Sequence, residues 1–181
     1  LSLSAWIKPD YSQGSPQFTV VSKENTFLLA INNILPPSNK AVFSIFDGIK
    51  WNTVTSNSTI PEDWTHLAAT FNGTTISLYV NGKLDSTAPL PGVLAVAVNG
   101  QLTTKTVNNL SSNADIVIGT YFDSIRRTPT NSFSGSIENV NLYNSTLTMP
   151  QITQLYATSP LAPQLPHMIN STLSDMVSLT D

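Results

Sequence analysis

Apolar and polar residues alternate along much of this chain. Residues 75–80 place an apolar side chain at every second position, as expected of a strand whose two faces meet different surroundings. Asn72-Gly73 precedes this run and Asn81-Gly82 closes it. Asn-Gly pairs tolerate the positive φ angles that tight hairpin turns require. The segment therefore predicts successive antiparallel strands joined by short turns.

Similar runs recur along most of the chain. Further strands are predicted at 3–7, 18–22, 26–31, 41–46, 49–55, 64–71, 116–120 and 135–143. Turn signals separate them at about the 8–12 residue spacing that is typical of a two-sheet β-sandwich. One short helix is predicted at 148–156, because Thr148 offers a hydroxyl cap and Pro150 stands in the first turn.

Two segments depart from the simple sandwich pattern. Val93 to Val98 is an apolar run that ends at Asn99-Gly100, which predicts an extra hairpin that must be covered by the sandwich or by another chain. Residues 158–181 contain several prolines and then a tail that suits a short amphipathic helix or disorder equally well. We therefore predict a domain at 1–157 and a linker with a tail at 158–181.

The amino-acid composition argues against several classes of protein. Charged residues make up 10% of the chain and the net charge is −3, so nothing indicates binding to nucleic acid. Cysteine is absent, which removes disulfides and thiolate chemistry, and the sequence lacks the run of about 18 apolar residues that would insert into a membrane. The chain opens directly in a strand, which favours a domain cut from a longer precursor.

The sequence contains five acceptor motifs for Asn-linked glycans. They begin at Asn57, Asn72, Asn109, Asn144 and Asn170, and the first four fall in predicted turns. Chance alone would produce several such motifs in a chain this rich in Asn, Ser and Thr. We predict an extracellular or cell-surface glycoprotein, and the combination of these motifs with the lack of cysteine suits an archaeal surface protein.

Three segments resemble the laminin G-like, or concanavalin A-like, jelly-roll domains, which include the pentraxins. They are Leu3 to Pro9 with its central tryptophan, Trp64 to Lys83, and Phe133 to Asn144 with the helix that follows. The resemblance covers roughly residues 1–157. It implies an all-β fold, a two-sheet antiparallel jelly-roll sandwich with one short C-terminal helix.

The chain also departs from this family pattern. Family domains usually begin with a strand that precedes the tryptophan strand, and this chain starts too late to contain that strand. Its absence predicts an open sheet edge near the last strand. Another chain, or the segment Val93 to Val98, is expected to fill it. The resemblance also implies a calcium site at the last strand, where Glu138 is the carboxylate that remains.

A few side chains stand out as candidates for binding. Trp6 and Trp64 are expected in the core. His66 follows Trp64 by two residues, so both are expected on the same face of a strand, with His66 packed and hydrogen-bonded. Trp51 belongs to none of the family motifs, and it either stacks on sugar rings or forms a third core tryptophan. The remaining candidates lie in the 121–127 loop, which carries the only adjacent basic pair and either contacts a ligand or is simply solvated. They are Tyr121, Asp123, Arg126 and Arg127.

The sequence contains little evidence for a catalytic site. Glycoside hydrolases of this fold place two carboxylates on one strand face, and no Glu-x-Asp-x-Glu motif exists here. Glu62-Asp63 are adjacent, so their side chains point to opposite sides of an extended chain. We predict a non-catalytic extracellular module that binds a glycan or a protein at a cell surface. The alternative is a structural building block of a surface layer, filament or large adhesin, whose open edge pairs with another copy.

Overall fold

Two antiparallel sheets packed face to face form the body of the protein. The computed structural model describes residues 1–90, 93–98, 101–106 and 112–163. The elements are β1 Ser2–Pro9, β2 Gln17–Lys23, β3 Phe27–Asn32, β4 Lys40–Phe46, β5 Trp51–Thr59, β6 Thr65–Phe71, β7 Thr75–Val80, β8 Lys83–Pro89, β9 Val93–Val98, β10 Gln101–Thr106, β11 Ile116–Ile118, β12 Tyr121–Asp123, β13 Thr128–Thr130, β14 Gly135–Tyr143 and α1 Met149–Ala157.

The strand order confirms the predicted sandwich. The first sheet runs β14-β1-β6-β7-β8 and the second runs β11-β2-β3-β4-β5. β9 pairs with β10, and β12 pairs with β13, in two separate small hairpins. The two strands on either side of the predicted Asn99-Gly100 turn are thus paired, while the turn itself lies outside the described residues. The predicted 121–127 loop is instead a hairpin of two short strands.

The core lies between the facing surfaces of the two sheets. Leu29 and Ile31 of β3 and Phe43 and Ile45 of β4 are fully buried in it. Each pair is two residues apart because alternate side chains of a strand point to the same face. Burial of each such side chain contributes about 1.5–3 kcal/mol of transfer free energy.

Helix α1 covers the outer face of the first sheet. Its Ile152 is buried against Ala68 and Tyr79, and the side chain of Gln151 accepts a hydrogen bond of 2.8 Å from the Thr148 backbone N–H at the start of the helix. The ring of Trp6 stacks on Tyr156 at 5.6 Å. Trp6 is therefore buried as predicted, but it lies under the helix.

Trp64 does not occupy the core as predicted. It precedes β6 by one residue, at the end of the sheet, and it is half-buried. Alternation along a strand directs every second side chain into the sandwich, and it does not apply to a residue outside the strand. Nor do Trp64 and His66 share a strand face, since only His66 lies within β6.

One side of the sandwich is open in the part of the chain that the structure describes. β14 and β11 are the edge strands there, and Ile116, Ile118 and Leu142 are exposed along them. A hollow of about 340 Å³ lies between the two edges, lined by Leu1, Lys23, Thr26, Phe27, Ile116, Leu142, Tyr143 and Asn144. β9 hydrogen-bonds to β10 and not to this edge, so the alternative in which Val93–Val98 completes the first sheet is wrong.

The helix that the structure describes is too short to cross a membrane.

Candidate functional site

A cleft opens at one end of the second sheet. It lies between the end of β2, the 112–115 segment and the β12–β13 hairpin, and it has a volume of about 320 Å³. That volume is at the lower limit of the range usual for small-molecule sites. The cleft is lined by Ser22, Glu24, Asn113, Ala114, Asp115, Val117, Phe122 and Ser124.

Hydrogen bonds fix the walls of the cleft to one another. The hydroxyl of Ser112 donates to the backbone carbonyl of Glu24 at 3.0 Å and accepts a bond of 3.0 Å from Thr26 Oγ1. The backbone N–H of Ser124 donates to Glu24 Oε1 at 3.1 Å, which ties the hairpin to the turn between β2 and β3. The cleft is thus preorganised, and a ligand would find its walls already ordered.

The turn of the β12–β13 hairpin uses two of the predicted ligand contacts for its own structure. Asp123 Oδ1 accepts hydrogen bonds from the backbone N–H groups of Ile125 and Arg126, both at 3.0 Å. Asp123 Oδ2 pairs with the Arg126 guanidinium at 3.4 Å. Arg127 adopts a positive φ of 55°. Asp123 therefore shapes the turn, while the two arginines lie exposed at its tip and do not line the cleft.

An exposed aromatic ring forms part of the cleft wall. Phe122 is 42% exposed, and its neighbour Tyr121 points to the other side of the short strand. Burial raises the pKa of Tyr121, and the negative charges of Glu24 and Asp123 raise it further. Tyr121 is therefore close to the cleft but does not line it, and the ring available for stacking on a ligand is that of Phe122.

Sequence reasoning missed Phe122, Glu24 and Asp115. Phe122 directly follows Tyr121, which was a predicted candidate. Period-two alternation within 121–123 would have placed the rings of Tyr121 and Phe122 on opposite sides of the strand. No sequence signal points to Glu24 and Asp115, which are 91 positions apart (115 − 24) and meet only because β11 pairs with β2. Only the strand order brings these carboxylates into one cleft.

Trp51 lies on the outward face of the same sheet but away from the cleft. It starts β5, is 37% exposed, and packs against Phe46 with ring centroids 5.3 Å apart. It is therefore not a third core tryptophan. The registers of β2 to β5 place Thr53 three inter-strand spacings from Ser22 on the same face. Trp51 lies two residues further along β5 on that face, so it is roughly 16 Å from Ser22. The structure does not bring Trp51 into contact with the cleft.

Glu138 lies exposed on the edge strand β14, opposite Trp6 of β1. Among the described residues, no group of three or more acidic, histidine or cysteine side chains converges there or elsewhere in a way that could hold a metal. Calcium binding at Glu138 stays a prediction.

The predicted glycosylation sites differ in their surroundings. Asn72 lies in the turn between β6 and β7 and Asn144 in a bend after β14, and both are exposed. Asn57 is also exposed, but the prediction of a turn there is wrong, because Asn57 lies within β5. Its side-chain Nδ2 donates a hydrogen bond of 2.7 Å to the backbone carbonyl of Asp85. Asn109 and Asn170 lie outside the described residues.

Several solved structures have a similar fold. The carbohydrate-binding module CBM40 of the Ruminococcus gnavus IT-sialidase aligns with a TM-score of 0.63 and 16% identity, over 86% of this chain and 81% of the module. The same module has been solved with α2,3 sialyllactose. The botulinum neurotoxin serotype D ligand binding domain, solved with N-acetylneuraminic acid, aligns with a TM-score of 0.54 and 17% identity, over 86% of this chain and 35% of that domain.

A third similar structure is a candidate carbohydrate-binding protein from Bacteroides ovatus, with a TM-score of 0.59 and 16% identity. The alignment covers 84% of this chain but only 39% of that larger protein. At such identities the likeness concerns the fold alone. A search of curated protein sequences found no match.

A family profile shows the family of this chain. The profile described as the concanavalin A-like lectin/glucanases superfamily, Laminin_G_3, matches residues 1–153. This range contains both sheets and all but the last residues of α1. The chain therefore belongs to the concanavalin A-like lectin/glucanases superfamily.

Proposed function

We propose that this protein is a non-catalytic carbohydrate-binding module whose ligand docks in the cleft beside the β12–β13 hairpin. The observation that carries the proposal is the exposed ring of Phe122 in a preorganised cleft that also contains Glu24 and Asp115. A sugar ring presents an apolar face that packs on an aromatic ring, and it has hydroxyl groups around its rim. Carboxylate oxygens accept strong hydrogen bonds from such hydroxyls.

The comparisons support the class of ligand. Each of the three similar folds is described as binding carbohydrate or is solved with one, although each shares only 16–17% identity with this chain. Trp51 adds a second aromatic surface on the same sheet face, roughly 16 Å from Ser22 of the cleft. A ligand with several sugar rings would contact both surfaces, whereas a single sugar would occupy the cleft alone.

The place of action that we propose is the cell surface or the extracellular space. The low content of charged residues and the exposed acceptor motifs at Asn72 and Asn144 support this location. Staining of intact source cells with an antibody against the domain tests it. Signal that appears only after the cells are permeabilised would contradict it.

A glycan array probed with the purified chain tests the binding function. Replacement of Phe122 with Ala should weaken binding about twofold to tenfold, because aromatic stacking contributes about 0.5–1.5 kcal/mol. Ile125→Ala is the matched control, since Ile125 is 92% exposed at the tip of the same hairpin and does not line the cleft. Absence of binding to every glycan, or release of reducing sugar from a bound glycan, would refute the proposal.

The same array, run with calcium and again with chelator, tests the metal prediction. Loss of binding with chelator would support a calcium site that involves Glu138 or the cleft carboxylates. If binding survives the chelator, recognition rests on the aromatic ring and the carboxylates of the chain itself.

The open edge of β14 and β11 favours a second candidate function. An unpaired strand edge offers backbone N–H and C=O groups to another strand, and the exposed Ile116, Ile118 and Leu142 offer apolar surface beside it. In this second candidate the domain is a building block of a surface assembly in which the edge pairs with another copy.

A further inference from the structure

The charges in the cleft are unbalanced. Glu24 and Asp115 both line it, and none of the described lining residues is basic. The nearest arginine along the chain, Arg126, is held outside by Asp123, with 77% of its side chain exposed. A ligand in the cleft therefore meets two carboxylates and no fixed positive charge among the described lining residues.

This charge distribution discriminates between classes of sugar. Hydroxyl groups of a neutral sugar donate hydrogen bonds to both carboxylates, and such charge-assisted bonds are about twice as strong as neutral ones. The carboxylate of a sialic acid or a uronic acid has no hydrogen to donate and is repelled instead. At a separation of about 6 Å, which is shorter than the screening length at physiological salt, this repulsion near a protein surface is only partly screened.

We propose that the cleft selects neutral sugars and disfavours sialylated or otherwise acidic ones. The inference rests on the proposed carbohydrate-binding function and adds the class of ligand. It separates this chain from the two similar folds that have been solved with sialylated ligands. The difference comes from cleft side chains that the shared fold does not determine.

An array of neutral glycans, each paired with the same glycan carrying a terminal sialic acid, tests this selectivity. We expect each bound neutral glycan to bind about tenfold or more tightly than its sialylated partner, which corresponds to about 1.4 kcal/mol. The preference should shrink in high salt, because added ions screen exposed charges. Equal or tighter binding of the sialylated partners would overturn the inference while leaving the carbohydrate-binding function intact. Absence of binding to both members of every pair would refute that function itself.

A charge-neutral variant tests whether the two carboxylates are the cause. In Glu24→Gln with Asp115→Asn, the ratio of neutral to sialylated affinity should fall several-fold. The amide oxygen of Gln can still accept the hydrogen bond that Ser124 donates to Glu24. The matched control is Glu62→Gln with Asp63→Asn, which removes the same charge from exposed positions that do not line the cleft. An equal change in both double variants would mean that overall charge, and not the cleft, determines the preference.

Discussion

At the scale of single residues, Gly135 shows how tightly packing can constrain residue identity. It starts β14 with a φ of 117°, in a region that residues with a side chain rarely adopt. A Cβ atom at this position would meet the backbone carbonyl of Lys8 on the neighbouring strand β1. Neither obstacle is relieved by a side-chain rotation, since the backbone itself is in the way.

Gly135→Ala should therefore lower the free energy of unfolding by more than about 2 kcal/mol. Thermal or urea unfolding of the variant measures the loss. Gly14→Ala serves as the control, because no atom lies within 4 Å of a Cβ built there and its φ is ordinary. Equal stability of the two variants would contradict the packing that the structure shows around Gly135.

The sequence predicted the candidate site only in part. The 121–127 segment was identified from its basic pair and its Asp, and the cleft does lie beside it. However, Asp123 and Arg126 pair with each other, and the side chains that line the cleft are Phe122, Glu24 and Asp115. Local sequence reveals which residues have suitable chemistry, whereas strand pairing decides which of them meet.

At the scale of elements, helix α1 covers a buried histidine on the first sheet. The His66 ring lies 5.4 Å from Trp6 and 6.1 Å from Tyr156 of the helix, and its Nδ1 has no hydrogen-bond partner among the described residues. Burial lowers the pKa of His66 from 6.5 to about 4, because the charged ring would lose its water. The helix thus rests on a histidine that stays neutral in the folded state.

Stability should consequently depend on pH through His66. Between pH 6.5 and 4 the unfolded chain binds a proton that the folded chain does not bind. Since a lowered histidine pKa favours unfolding in acid, the contribution of neutral His66 is fully present above pH 6.5 and declines as the pH falls toward 4. The total loss is about 3 kcal/mol.

Urea unfolding at pH 7, 6, 5 and 4.5 measures this decline. His66→Gln should flatten the profile in that range even if the variant is less stable at pH 7, because an amide side chain does not titrate. An identical slope in the two proteins would show that carboxylates, not His66, cause the pH dependence.

At the scale of the whole molecule, the two sides of the sandwich differ. On one side Asp85 of β8 accepts hydrogen bonds from the backbone N–H groups of Asn57 and Ser58, which joins the two sheets. On the other side β14 and β11 are edge strands with a hollow between them, and no described strand pairs with their outer edges. Self-association is therefore expected at the β14–β11 side.

If the edge pairs in trans, the wild-type chain should dimerise with rising concentration, and Leu142→Lys should raise the dimer Kd at least about tenfold. A lysine on an edge strand opposes strand addition through its charge. Analytical ultracentrifugation measures both proteins. Leu84→Lys is the matched control, since Leu84 is an exposed leucine on the opposite edge strand β8. A wild-type chain that stays monomeric at all concentrations would contradict the building-block function.

The sequence by itself determined the fold class, the short helix and most strands. These features follow from local alternation, turn chemistry and family motifs that lie within short segments. Only the tertiary structure decided that Trp64 lies outside the core, that Asn57 is part of a strand, and that Phe122 lies in a cleft with Glu24 and Asp115. The physical reason is that the neighbours of a strand come from distant parts of the chain. The local sequence pattern does not contain the strand order, and it is the strand order that brings the residues of the candidate site together.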